Sequence, residues 1–94
     1  MSNVILKYPL PATELPVGQF SITVPKSARL LSVGNQNGNL VFWYIVNPEE
    51  MEETKDVQFI GIETGSSVQS LNKSKFINTV QFKGGAYILH LFYL

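Results

Sequence analysis

The stretch "RLLSVGNQNGNLVFWYIV", residues 29–46, decides how this chain folds. Asn37-Gly38 lies between two apolar runs, and a type I′ turn demands positive φ at both central residues, a conformation that Asn and Gly adopt most readily. With that pair at the tip, Gln36 faces Asn39, Gly34 faces Val41, Val33 faces Phe42, Ser32 faces Trp43, Leu31 faces Tyr44 and Leu30 faces Ile45. Each aromatic or branched pair across such a ladder contributes about 0.2–1 kcal/mol. Both faces of the hairpin are largely apolar, so it belongs at the centre of a sheet or beneath a partner subunit.

Outward from this hairpin, other strands follow. "NVILKY" (3–8) reads as a first strand, ended by "PLPATELP", where Pro9, Pro11 and Pro16 interrupt ladder pairing. "GQFSITV" (18–24) alternates strictly, with Phe20, Ile22 and Val24 on one face and Gln19, Ser21 and Thr23 on the other, the pattern of a half-buried strand. In "NPEEMEETKD" (47–56), Asn47 can cap, Pro48 fits the first helical position and Glu50 completes a capping-box spacing, which predicts one or two helical turns. "VQFIGIE" (57–63) is a strand whose Gly61 marks a bulge or a close backbone approach.

Near the C-terminus, "KFINTVQF" (75–82) and "AYILHLFYL" (86–94) flank Gly84-Gly85, a second two-residue turn. That register places Phe76, Asn78, Val80 and Phe82 on one face with Tyr93, Leu91, Leu89 and Tyr87. Ile77, Thr79 and Gln81 share the other face with Phe92, His90 and Ile88. The expected fold is all-β, a small sandwich or barrel-like antiparallel sheet of six to seven strands with at most one short helix, over a single domain 1–94.

Composition narrows the function classes. Cysteine is absent, which removes disulfides, thiolate nucleophiles and Cys-based zinc sites. The N-terminus lacks the basic and apolar regions of a signal peptide, and the longest apolar run, Leu40 to Val46, falls far short of the roughly 20 residues that span a bilayer. A cytoplasmic protein without membrane contact is expected. At 45% hydrophobic and 15% charged, the chain has apolar surface to spare, and a homo-oligomer is expected to cover it. Formal net charge is zero, yet Glu49, Glu50, Glu52, Glu53 and Asp56 crowd one segment that holds only Lys55 in return. The remaining chain is mildly cationic, which suits a small anionic ligand and not duplex DNA.

Each candidate residue has a plain reading beside a functional one. His90 reads first as a half-buried imidazole bonded to Thr79, and second as a polar contact to a ligand on the face it shares with Gln81. A catalytic base would need a nucleophile or an orienting acid close by, and the strand register supplies none. Trp43 reads first as a core residue, with base stacking or interface packing as the alternative. Gly65, Ser66 and Ser67 form either a polar loop or an anion-binding nest of backbone N–H groups, with Lys73 and Lys75 as nearby charge. The acidic segment reads as a solvated turn, because it lacks the ligand spacing of a calcium loop.

Taken together, "LKYPL", "PKSARLLSVGNQNGNLVFWYIVNP", "FIGIETG" and "INTVQFKGGAYILHLFY" resemble an uncharacterised family of small bacteriophage-encoded proteins. The family pattern's polar positions fall on Lys7, Gln36, Trp43, Thr79 and His90. This chain departs from it at "GIETG", where relatives carry a Gly-Thr-Gly turn followed by a histidine. The resemblance implies a phage protein at work in the host cytoplasm. By analogy with other small β-rich phage proteins, it implies an anti-defence sponge that binds a cyclic nucleotide or similar immune signal without cleaving it. Arg29, Gln36, Trp43, Gly65, Ser66, Ser67, Lys73 and His90 are the expected ligand contacts, with no cofactor, no metal and no catalytic residue. The alternative is a protein-interaction module that inhibits a host protein or serves the virion.

Overall fold

The turn forms as its residues require. In the computed structural model, which describes residues 2–10, 15, 17–68, 71 and 74–94, Asn37 has φ 55° and Gly38 φ 87°. The pair joins β3 (Arg29–Gln36) to β4 (Asn39–Val46), in the expected register from Gln36↔Asn39 to Ser32↔Trp43. There the register shifts. Leu30, not Leu31, faces Tyr44, and Arg29 faces Ile45. The bulge turns Leu30 onto the core and leaves Leu31 51% exposed. An edge strand tolerates the extra residue because only one ladder is disturbed.

On the other side of β4 lies β1 (Val4–Leu10), which makes β4 the central strand of a three-stranded sheet. Pro9 does not end β1 as its ring suggests; it sits within the ladder opposite Val41. The hairpin explains why. Its closing pair, Gln36 and Asn39, is hydrogen-bonded, so alternate residues Asn39, Val41 and Trp43 direct their backbone groups toward β3. Leu40, Phe42, Tyr44 and Val46 direct theirs toward β1, where their partners are Leu10, Tyr8, Leu6 and Val4. Pro9 therefore points its nitrogen at the outer edge, where the ladder needs no donor.

The second sheet takes the order β2 (Gly18–Pro25), β5 (Thr54–Glu63), β7 (Tyr87–Tyr93), β6 (Lys75–Phe82), antiparallel throughout. Gly61 makes no bulge; its ladders to Gly18 and Leu91 run unbroken. The segment expected to be helical is a single turn. Asn47 Oδ1 accepts the Glu49 N–H at 3.0 Å, and the Glu50 N–H reaches the Asn47 carbonyl at 2.9 Å. The capping residues are spent on this turn, because the chain must run extended by Thr54 to pair with β2.

Gly84 and Gly85 turn the chain, with φ 64° and 95°, closed by Ala86 N–H on the Lys83 carbonyl at 3.2 Å. Lys83 also takes a positive φ of 52° and the strands end at Phe82 and Tyr87, so the connection has four residues and not the expected two. The predicted register holds from Phe82↔Tyr87 to Asn78↔Leu91, then slips at Ile77. Phe76 consequently faces Phe92 on the outer surface, 58% exposed, instead of joining Tyr93 inside. Pro11, Pro16 and Lys73, singled out in the sequence, lie outside the described residues.

Between the sheets, Phe42 and Tyr44 of β4 meet Phe59, Phe82, Leu89 and Leu91, all nearly inaccessible to solvent. Phe59 stacks on Phe20 and Tyr93 at 5.5 and 5.4 Å, and Phe42 tilts against it at 4.9 Å. Burying each such side chain stabilises the fold by about 1.5–3 kcal/mol. Beside this core, β3 and β6 lie side by side without a backbone ladder between them, in the same direction, since Val33 meets Asn78 and Asn35 meets Gln81. Two amides bridge the gap. Asn78 Nδ2 donates to the Val33 carbonyl at 2.7 Å, and Asn35 Nδ2 donates to the Gln81 carbonyl at 2.8 Å. Asn35 Oδ1 also accepts the Gly38 N–H at 2.8 Å, so one side chain both holds the turn and closes the sandwich.

Candidate functional site

The three strands of the first sheet carry Lys7 and Arg29 and no acidic residue. Alternation sends Leu40, Phe42, Tyr44 and Val46 inward and leaves Trp43 on the outer face, half-buried and not in the core. The reason is parity: with Phe42 and Tyr44 both filling the interior, the residue between them must point away. Lys7 is the direct cross-strand partner of Trp43 on β1, Ser32 is its partner on β3, and Arg29 lies two pairs further along opposite Ile45. The indole lies along Gly34, where a Cβ would sit 3.4 Å from the ring. A larger side chain there would displace the ring.

Lys7 Nζ donates to Gln36 Oε1 at 2.8 Å. The two residues stand on opposite edges of the sheet, so the bond crosses β4 above Val41, which it helps to bury. It ties the ammonium across the strand that carries Trp43 and commits the acceptor end of Gln36, leaving the amide NH₂ as a donor on this face.

A second cluster lies on the outer face of the other sheet. His90 is held by two hydroxyls: Thr79 Oγ1 lies 2.9 Å from Nδ1 and Thr64 Oγ1 lies 2.8 Å from Nε2. In either neutral tautomer one ring nitrogen donates and the other accepts, and a threonine hydroxyl serves both roles. The Thr79 contact is the one the strand register anticipates. Thr64 comes from a turn in which the Ser66 N–H closes onto the Glu63 carbonyl at 3.1 Å, with Gly65 at φ 93°. Ile62, Val68, His90 and Phe92 line a shallow cavity of about 260 Å³ with this turn. Because the Ser66 N–H is already spent, the Gly65–Ser67 loop offers an anion fewer donors than its sequence suggests.

The expected contacts therefore fall into two groups on opposite faces of the sandwich. Arg29, Gln36 and Trp43 share the outer face of the first sheet, while Gly65, Ser66 and His90 gather on the second. Ser67 lines a neighbouring groove with Val17, Ile60 and Leu71. Sequence reasoning passes over Lys7 as a contact, because the pairing of β1 with β4 spans more than thirty residues and no local signal reports it. The contact of Thr64 with His90, twenty-six residues apart, is missed for the same reason. The acidic segment surrounds an open cavity of about 570 Å³ with Lys26 and Ser27, and among the described residues no group of His, Cys, Asp or Glu is placed to hold a metal ion. No described helix is long and apolar enough to cross a membrane.

A family model described as "Domain of unknown function (DUF7352)" matches residues 1–94. The chain belongs to the DUF7352 family. No curated protein and no solved structure matches it. The five polar positions singled out by the sequence pattern sort cleanly in this DUF7352 domain: Lys7, Gln36 and Trp43 meet on one face, Thr79 and His90 on the other.

Proposed function

We propose that this DUF7352 domain is a non-catalytic binding protein that sequesters a nucleotide-derived signal, with a cyclic nucleotide as the ligand class, in the phage-infected host cytoplasm that the sequence resemblance implies. The observation that carries the reading is the half-buried Trp43 indole on an outer face that also holds Lys7, its direct cross-strand partner, and Arg29, two pairs along, on strands without an acidic residue. A nucleobase laid on the indole gains about 1–3 kcal/mol from stacking. The ammonium and guanidinium meet its phosphate, and the Gln36 NH₂ donates to a base edge or ribose oxygen. The non-catalytic part rests on His90, whose ring nitrogens both engage threonine hydroxyls and not a carboxylate that would orient a general base.

Trp43 is the sole tryptophan, so its fluorescence reports the site directly. Titration with cyclic mono- and dinucleotides is expected to quench it. Trp43→Ala removes binding measured by calorimetry, and Lys7→Ala or Arg29→Ala weakens it about tenfold, the loss of one charge-assisted contact. Heating the complex releases the ligand intact if there is no turnover. Failure of every candidate to bind more tightly than about 10 μM overturns the reading.

A protein-interaction module is the second reading, favoured by Leu31 and Phe76. Both are displaced outward by their bulges and border a cleft of about 290 Å³ at one end of the β3–β6 gap. Stoichiometric recovery of one host protein, lost in Phe76→Ser, would favour this reading over the first.

A further inference from the structure

We propose that the outer edge of β1 pairs with β1 of a second copy of this chain about a two-fold axis at Leu6, joining two three-stranded sheets into one continuous six-stranded sheet. The hairpin parity commits the backbone groups of Val4, Leu6, Tyr8 and Leu10 to β4, so Ile5 and Lys7 present N–H and C=O to the outer edge. Pro9 presents a carbonyl alone. Among the described residues no strand pairs with this edge.

Its side chains are as incomplete as its backbone. Val4, Ile5 and Leu6 are 41%, 57% and 38% exposed in succession, although Val4 and Leu6 point the same way as the core-packed Tyr8 and Leu10. Edge strands are ordinarily blunted by charge, proline, bulges or a covering element. The β3 and β6 edges carry bulges and face one another, whereas Val4–Leu6 has no such device among the described residues.

A second copy fits because the edge is complementary to itself in one register. With the axis at Leu6, Ile5 pairs with Lys7 of the second copy and Lys7 with its Ile5, so every edge N–H and C=O of the four residues is bonded. Leu6 then meets Leu6, and Val4 meets Tyr8, extending the apolar inner face across the junction. Moving the axis to Lys7 sets two ammonium groups directly opposite and pairs Ile5 with Pro9, which lacks the donor. Moving it to Ile5 pairs Lys7 with Asn3, outside the strand. Repulsion and the missing donor select the Leu6 register.

Leu6 faces Leu6 there in a non-hydrogen-bonded pair, whose Cα separation of about 4.5 Å admits a disulfide. The chain has no cysteine, so Leu6→Cys introduces a single reporter. Oxidation of dilute Leu6→Cys is expected to give nearly complete covalent dimer, and Thr23→Cys on the opposite sheet little. Light scattering without any nucleotide is expected to report twice the 10.5 kDa chain mass for the unmodified protein. Ile5→Pro, which deletes an edge donor unused by β4, shifts it to monomer with an unchanged circular dichroism spectrum. Ile5→Lys, which keeps that donor but opposes two charges, does the same if the proline variant does not fold. A monomer at about 100 μM, well above the micromolar range of weak association, or crosslinking of Leu6→Cys no greater than Thr23→Cys, overturns the proposal. No ligand enters these measurements, so their outcome is independent of the proposed function.

Discussion

Tyr44 concentrates the residue-scale tension of this fold. Its ring is required inside, edge-on to Tyr8 at 5.7 Å, but its hydroxyl is buried with no hydrogen-bond partner among the described residues. Burial pushes its pKa up to about 12 from 10.0, with Tyr93 and Tyr8 adding to the effect. The sign follows from linkage: the fold favours the protonated phenol, so this contribution is complete below pH 10 and is lost as pH rises through about 12. Tyr93 is shifted the same way by burial, and Tyr87 by burial and then by Glu63. Tyr44→Phe is expected to stabilise the protein by about 1 kcal/mol, since an unsatisfied polar group leaves the interior. It should also flatten the loss of stability between those two pH values. Urea unfolding followed by circular dichroism, at neutral pH and within the alkaline window, measures both. A destabilised Tyr44→Phe would mean that the hydroxyl has a partner.

At the scale of elements, the β3–β6 gap is where the two sheets become one body. A parallel neighbour without a ladder leaves edge carbonyls in want of donors, and Asn35 and Asn78 supply two. Asn78→Ala is expected to cost about 1–2 kcal/mol, because the Val33 carbonyl it serves is partly buried. Asn35→Ala is expected to cost about 1 kcal/mol, through the inter-sheet bond and the turn it steadies. Since both close one gap, a double-mutant cycle in urea should give a non-zero coupling energy; strict additivity would mean that the two bridges act independently. Asn35 illustrates what sequence can and cannot report. An amide two residues before an Asn-Gly turn is visible in the chain, but its acceptor on Gln81 is reached only when β6 arrives from forty-six positions away.

For the whole molecule, every strand except the two hairpin pairs finds its neighbour far along the chain: β1 with β4, β2 with β5, β5 with β7. Folding must close these long loops before contacts reward it, so refolding is expected in the millisecond-to-second range, as a single exponential, in stopped-flow tryptophan fluorescence. A microsecond phase carrying the full amplitude would contradict that expectation. The same distinction sorts what was legible. All-β class, the type I′ turn at Asn37-Gly38, the place of the Gly84-Gly85 turn, the inward set of β2 and the His90–Thr79 contact follow from local rules, because φ preference, two-residue periodicity and hairpin register act over a few residues. Leu31 and Phe76 defeat those rules, since a bulge is decided by the competition for the shared core and not by either strand alone. Trp43 yields half its meaning to alternation, which opposes it to Phe42 and Tyr44; which side is core depends on where the second sheet packs. The division of the expected contacts between two faces, the approach of Lys7 to Trp43 and Gln36, and the exposed edge of β1 were decided by tertiary structure. The chain by itself determined its strands and turns, because those forces are local. Which faces and edges meet depended on pairings between distant segments that only the folded molecule brings together.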